Sequence, residues 1–150
     1  MPLLATAVLA AAVLSAAVVV VVARGGEPTV TPEAFLDEVH AVCTEYGERL
    51  DEIAPPVDLS SPGAVYESLG AALPLLREQA AAVRSLETPP SLRSDLEEFF
   101  VLTDRSLVEL KDAYDAAGER ALYPMAVSLS RFEKVRDDAK RVARQIGFDC

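Results

Sequence analysis

LYPMAVSLSRFEKVRDDAKRVARQIGFDC, residues 122–150, decides the fold. Leu122, Met125, Leu129, Phe132, Val135, Ala139, Val142 and Ile146 recur every three or four positions, the period of one face of an α-helix. Pro124 falls in the opening turn, where its missing N–H costs nothing. Gly147 marks the end, so a helix is predicted over 121–147, with Phe148-Asp149-Cys150 closing the chain. Residues 131–144 carry six basic and three acidic residues, a cluster that suits the negative dipole end of that helix.

The same period recurs three times upstream. Leu92, Leu96, Phe99, Thr103, Leu107, Leu110, Tyr114 and Ala117 predict a helix over 91–117, entered from a Thr88-Pro89-Pro90-Ser91 turn and ended by Gly118. Val65, Leu69, Leu73, Leu76, Ala80, Val83 and Leu86 predict one over 62–87, with Ser61 as cap. Pro74 lies inside it and is expected to kink it; a full break into two helices is the alternative. Ala54-Pro55-Pro56-Val57-Asp58-Leu59-Ser60 is a linker, because paired prolines favour extended polyproline geometry. Phe35, Leu36, Val39, Val42, Cys43, Tyr46, Leu50 and Ile53 predict a first helix over 32–53, started by Thr31-Pro32-Glu33. Four helices with short links make an all-α, up-down-up-down four-helix bundle over 32–150.

Leu3 to Ala23 is a 21-residue run interrupted only by Thr6 and Ser15. As a helix it would be roughly 30 Å long, the thickness of a bilayer core. Residues 1–24 are therefore read as a transmembrane anchor and 25–31 as a tether. A cleaved signal ending at Val21-Val22-Ala23 is the alternative, and it would leave the protein secreted. No Lys or Arg precedes the run, so the positive-inside rule does not orient it. Ala7 and Ala11 have the small-xxx-small spacing of helix pairs, a weak signal in an alanine-rich run. The bundle is placed on the extracytoplasmic side of the cell membrane because of its acidic surface and its two cysteines.

Those two cysteines, Cys43 and Cys150, are 107 positions apart (150 − 43). They are too few for a zinc site, and one histidine cannot complete a mixed set. In an exported protein a Cys43–Cys150 disulfide is expected; two free buried thiols in a cytoplasmic protein are the alternative. Closing a loop that long stabilises a fold by roughly 4–5 kcal/mol in the chain-entropy description. If the bond forms, only residues 43–53 climb beside the last helix. Residues 54–61 then run up the bundle wall as an extended strap, and residues 32–42 protrude towards the membrane. Residues 27–58 hold nine acids and one arginine, so the first helix is expected to meet the basic cluster of the last. A site for an anionic lipid headgroup or cell-wall polymer is the other use of that cluster.

The formal net charge of −10 opposes binding to a phosphate backbone, so no nucleic-acid partner is expected. His40 is the only histidine. Its i, i+3 spacing from Asp37 is not a di-iron motif, which needs two Glu-x-x-His pairs and further carboxylates. Cys43 at i, i+3 from His40 could suggest a thiol nucleophile, but a disulfide would consume it. No serine sits in a G-x-S-x-G turn, and there is no phosphate-binding glycine loop and no H-E-x-x-H. Glu97-Glu98 and Asp137-Asp138 are adjacent pairs that point apart on a helix. Tyr46, Tyr66, Tyr114 and Tyr123 read as packing at the edge of the core. No catalytic residue, metal or cofactor is implied.

Cys43, Pro55-Pro56, Leu73-Pro74, Leu86-x-x-Pro89-Pro90 and Gly147-x-x-Cys150 together give the chain a family likeness over most of 43–150. It resembles a group of actinobacterial envelope proteins, membrane-anchored or secreted, in which cysteines bracket a small helical domain. That resemblance implies a location and a fold. No activity is assigned to the group, so it carries over no catalytic residue.

Two functions remain. The first is a non-enzymatic, membrane-anchored interaction or cell-envelope module, held by residues 3–23, with an envelope protein or polymer as partner. The second is a carrier or sensor that holds a small apolar molecule between its helices near Pro74, lined by Leu73, Pro74, Phe99, Leu129 and Phe132. A packed interior opposes the second; an interior with room for a ligand favours it.

Overall fold

Thr31 starts the first helix as its residue type requires: its backbone is extended and its Oγ1 accepts a 3.2 Å hydrogen bond from the Ala34 N–H. The structure, a computed structural model, describes residues 30–56 and 58–149. The apolar run 3–23 and Cys150 lie outside the described residues. Four helices follow one another: α1 (Pro32–Asp51), α2 (Pro62–Ser85), α3 (Arg93–Gly118) and α4 (Leu122–Ile146). A 3₁₀ turn, Pro90–Leu92, leads into α3, and there is no strand among the described residues.

Ion pairs fix the antiparallel order. Arg49 Nη2 of α1 lies 3.3 Å from Glu78 Oε2 of α2, and Arg84 Nη2 of α2 lies 2.8 Å from Asp104 Oδ1 of α3. Both are exposed, so each contributes on the order of 0–1 kcal/mol and sets register more than stability. The closest packing is between α3 and α4. The buried residues of these helices include Ser106, Ala113, Ala116 and Ala117 on one and Ser128, Ala139 and Ala143 on the other. Small side chains at a contact let two helix axes approach.

The start of α1 and the segment after α4 close one end of the bundle. Phe35 and Val39 of α1 are buried there with Val83 of α2, Leu96 of α3, Val142 and Ile146 of α4, and Phe148 beyond it. Residues 32–42 therefore do not protrude. Phe35 is 1% exposed and Val39 0%, because this half of α1 carries the chain's best apolar side chains and the other three helices cover them. At the opposite end Val65, Ala116, Ala117 and Met125 form a smaller cluster from α2, α3 and α4 alone.

α1 is too short to reach that second cluster. Arg49, near its C-terminus, sits opposite Glu78, which is 16 residues (about 24 Å) from the start of α2. The linker covers this distance: Ile53, Ala54, Pro55 and Pro56 border a cleft with Ala64, Glu67, Ser68 and Ala71 of α2. A turn then leads into α2. The Asp58 carboxylate accepts from the Ser60 N–H at 2.8 Å and from its hydroxyl at 2.7 Å. Those bonds hold the Asp58 carboxyl below its ordinary range. Ser61 occupies the cap position of α2, but its side chain makes no capping bond.

Three other expectations can be set against the structure. First, α2 runs through Pro74 as one helix, as expected, and the alternative of a full break into two is not seen; Pro74 is exposed. Second, no ion pair joins α1 to α4 among the described residues. Their backbones hardly approach each other, and α4's cations pair locally, Arg136 with Asp137 and Arg141 with Asp138. Third, Gly118 does not end α3 in a left-handed conformation. It stays helical, and Arg120 takes the left-handed position with φ 56°. The N–H of Ala121 bonds the Ala116 carbonyl at 2.8 Å and that of Arg120 bonds Ala117 at 3.0 Å, a Schellman closure. Gly118 serves packing instead: a Cβ there would stand 2.9 Å from the Tyr66 ring. Gly147 does behave as predicted, with φ 114° and the Phe148 N–H bonded to the Ala143 carbonyl at 3.0 Å. Leu122 and Tyr123 open α4 exposed rather than packed, Tyr123 at 80%.

Candidate ligand-binding cavity

Between the two clusters the helices leave a cavity of about 350 Å³, partly open to solvent. All four contribute to its wall: Cys43, Gly47 and Leu50 from α1; Leu76, Gln79, Ala80 and Val83 from α2; Phe99 through Leu110 from α3; Phe132 through Ala143 from α4. The volume is more than twice the roughly 150 Å³ void that accommodates benzene in an engineered core. It falls at the lower end of the usual range for ligand pockets.

The residue types explain the void. Each helix presents its inward stripe, but at this level many positions carry little side chain: Gly47, Ala80, Thr103, Ser106, Ala139 and Ala143. A Cβ added at Gly47 would meet nothing within 4 Å. The helices cannot collapse into the space because both ends are propped. The Phe35 cluster holds one end apart, and the Tyr66–Tyr114 stack helps hold the other, with ring centroids 4.5 Å apart and 13° between planes.

The wall is mostly apolar. Thr103 and Ser106 donate their hydroxyls to backbone carbonyls one turn earlier, Phe99 O at 2.9 Å and Leu102 O at 3.0 Å. Those hydroxyl protons are engaged, so the two residues present acceptor oxygens and methyl or methylene surface. Gln79 lines the cavity half-buried from α2. Among the described residues the only charged ones in the lining are Arg136 and Lys140. Arg136 is exposed and Lys140 half-buried, so the cavity meets solvent beside α4. The Arg136 guanidinium lies 5.5 Å from the centre of the Phe132 ring, a cation–π contact that holds it at the rim.

Two of the five expected lining residues are in this wall, Phe99 and Phe132. Leu73 is buried at 4% and Pro74 is exposed, and neither is part of the wall. Leu129 packs on the Met125 cluster. The cavity lies nearer the C-terminal half of α2 than Pro74 suggested. Sequence reasoning missed Gly47, Leu76, Ala80, Leu110, Arg136 and Lys140. The available signal was the run of small residues at inward positions, rather than the proline.

The other candidate groups do not converge on the cavity. His40, Glu97 and Glu98 are exposed. Tyr66 and Tyr114 sit at the far end. A hydrogen bond with Tyr66 raises the Tyr114 pKa above the ordinary phenol value, and burial adds to it. One polar atom among the described residues is buried without a partner, Glu109 Oε2 on α3, outside the cavity wall. Comparison with protein-family models, with curated proteins and with solved structures finds no match for this chain.

Proposed function

We propose that this protein is a non-enzymatic binding bundle, held by residues 3–23 on the extracytoplasmic face of a membrane, that carries or senses a small apolar molecule. The observation behind this is the half-open apolar cavity of about 350 Å³ between all four helices. A core whose only purpose was stability would fill such a space, because voids cost stability in proportion to their size. The polar groups in the wall suit orientation rather than chemistry, since the two hydroxyl protons are already donated to backbone carbonyls.

The reading includes a Cys43–Cys150 disulfide formed on the oxidising side of that membrane. Three observations support it. No cysteine among the described residues is free. Cys43 packs on the same cluster as Phe148. Phe148 is 2% exposed and stands edge-on to Phe99 with centroids 5.0 Å apart, which fixes the chain two residues before Cys150. The remaining function, an interaction module for an envelope protein or polymer, has the exposed Val101 and Val108 on α3 in its favour, 66% and 57% exposed and two turns apart.

The test is a cavity-filling variant. Gly47 lines the cavity and a Cβ there would meet nothing within 4 Å, so Gly47→Leu adds side-chain volume to the wall. It also removes a mid-helix glycine, which stabilises by about 0.5–1 kcal/mol. The full chain is purified in lipid nanodiscs and its extractable small molecules are read by mass spectrometry. A discrete compound carried by the native chain and lost from Gly47→Leu, with thermal stability equal or higher, is the expected result. Identical extracts from both would sink the reading.

A further inference from the structure

The cavity's charges run against the composition. The chain holds 24 acidic and 14 basic residues, yet among the described residues no carboxylate side chain lines the cavity and two cations do, Arg136 and Lys140. Lys140 has no carboxylate within ion-pair distance among the described residues. Arg136 has one, Asp137 Oδ1 at 3.3 Å on the adjacent residue, with both side chains well exposed. An exposed neighbour pair of that kind is weak and easily exchanged.

The shape is also informative. The wall follows α3 from Phe99 to Leu110 and α4 from Phe132 to Ala143, each 11 residue steps or about 16 Å of helix. Phe99 and Phe132 supply aromatic surface along this length, and the cations stand at the solvent side.

Building on the cavity as a ligand site, we propose that the occupant is a single-chain amphiphile with an anionic headgroup. Its apolar chain enters the cavity against the aromatic surface of Phe99 and Phe132, and its anion sits between Arg136 and Lys140, midway along the α4 wall. The Arg136 guanidinium, steadied on the Phe132 ring, offers a planar fork to an oxyanion. Lys140 adds a second charge one turn further along α4 on the same face. Among the described residues no carboxylate of α1 pairs with either cation, which leaves both available to the ligand.

Two photoreactive probes of equal chain length test this, a diazirine-bearing palmitate and the matching uncharged hexadecanol. Each is added to the full chain in phosphatidylcholine vesicles, and labelled peptides are mapped by mass spectrometry. Both probes should label residues 43–50 and 132–143, with palmitate about fivefold ahead, the scale of a partly exposed charge pair. The double variant Arg136→Gln/Lys140→Gln should bring palmitate down to the alcohol's level and leave the alcohol unchanged. Gly47→Leu should remove both labels, which places them in the cavity. Equal or stronger labelling by the alcohol in the native chain, or a palmitate preference that survives the double variant, overturns the headgroup assignment and leaves the cavity standing. Absence of label from both probes overturns the cavity reading itself. The native chain's palmitate-to-alcohol ratio still separates these outcomes if the double variant folds poorly.

Discussion

The two halves of α1's neighbourhood differ in how completely they are filled. Around Phe35 and Val39 every helix contributes a large side chain, and the residues there are exposed by only a few per cent. Two to three turns further along, at Gly47, the same four helices include small side chains at inward positions and border a half-open cavity. Helix number and order are the same in both places, so architecture does not cause the difference. Side-chain volume at equivalent inward positions does. A bundle can be rigid at one end and hollow in the middle when the rigid end fixes the helix spacing.

The largest test of this contrast is truncation. Phe35→Ala should cost about 3–5 kcal/mol, the range for a buried aromatic. Leu107→Ala, a half-buried cavity residue, should cost under about 2 kcal/mol because it has fewer contacts to lose. Equal losses in denaturant melts would mean the cavity is filled in solution.

A second, smaller test compares the two helix ends that close in a left-handed residue. Gly147→Ala at φ 114° should cost about 1–2 kcal/mol, since the conformation disfavours a side chain and Leu36 Cδ1 would stand 3.3 Å from the new Cβ. Arg120→Gly at φ 56° should instead gain up to about 1 kcal/mol. Opposite shifts in melting temperature are expected.

The smallest test concerns the prop at the open end. Tyr66→Phe keeps the stacked ring and removes the hydroxyl. The Tyr114 pKa should then fall back towards about 10 in an ultraviolet titration. In the native chain the raised value means that Tyr114's contribution is fully present below the unfolded pKa, near 10, and is lost as pH rises through the folded one. Alkaline unfolding should begin at lower pH in the variant.

The helices are legible because their punctuation is local. Thr31-Pro32, Ser61-Pro62 and Gly147 lie where propensity and capping rules place them, and each apolar stripe keeps one period. The antiparallel order follows from short links. Depth along the bundle does not follow, because it depends on which turn of one helix faces which turn of another. The Arg49–Glu78 and Arg84–Asp104 registers are tertiary facts. That is why sequence alone puts residues 32–42 outside the bundle when Phe35 and Val39 are buried in it, and why it points to Pro74 for the cavity. Gly118 misleads for a related reason: a helix-ending glycine and a glycine that makes room for a ring look alike until Tyr66 is in place.

The burial of Phe148 also constrains biosynthesis. A core that joins Phe35 to Phe148 closes over 113 positions (148 − 35) and cannot be completed until residue 148 has been synthesised. Contacts of such separation form late, so the first helix must wait, partly uncovered, for the last one.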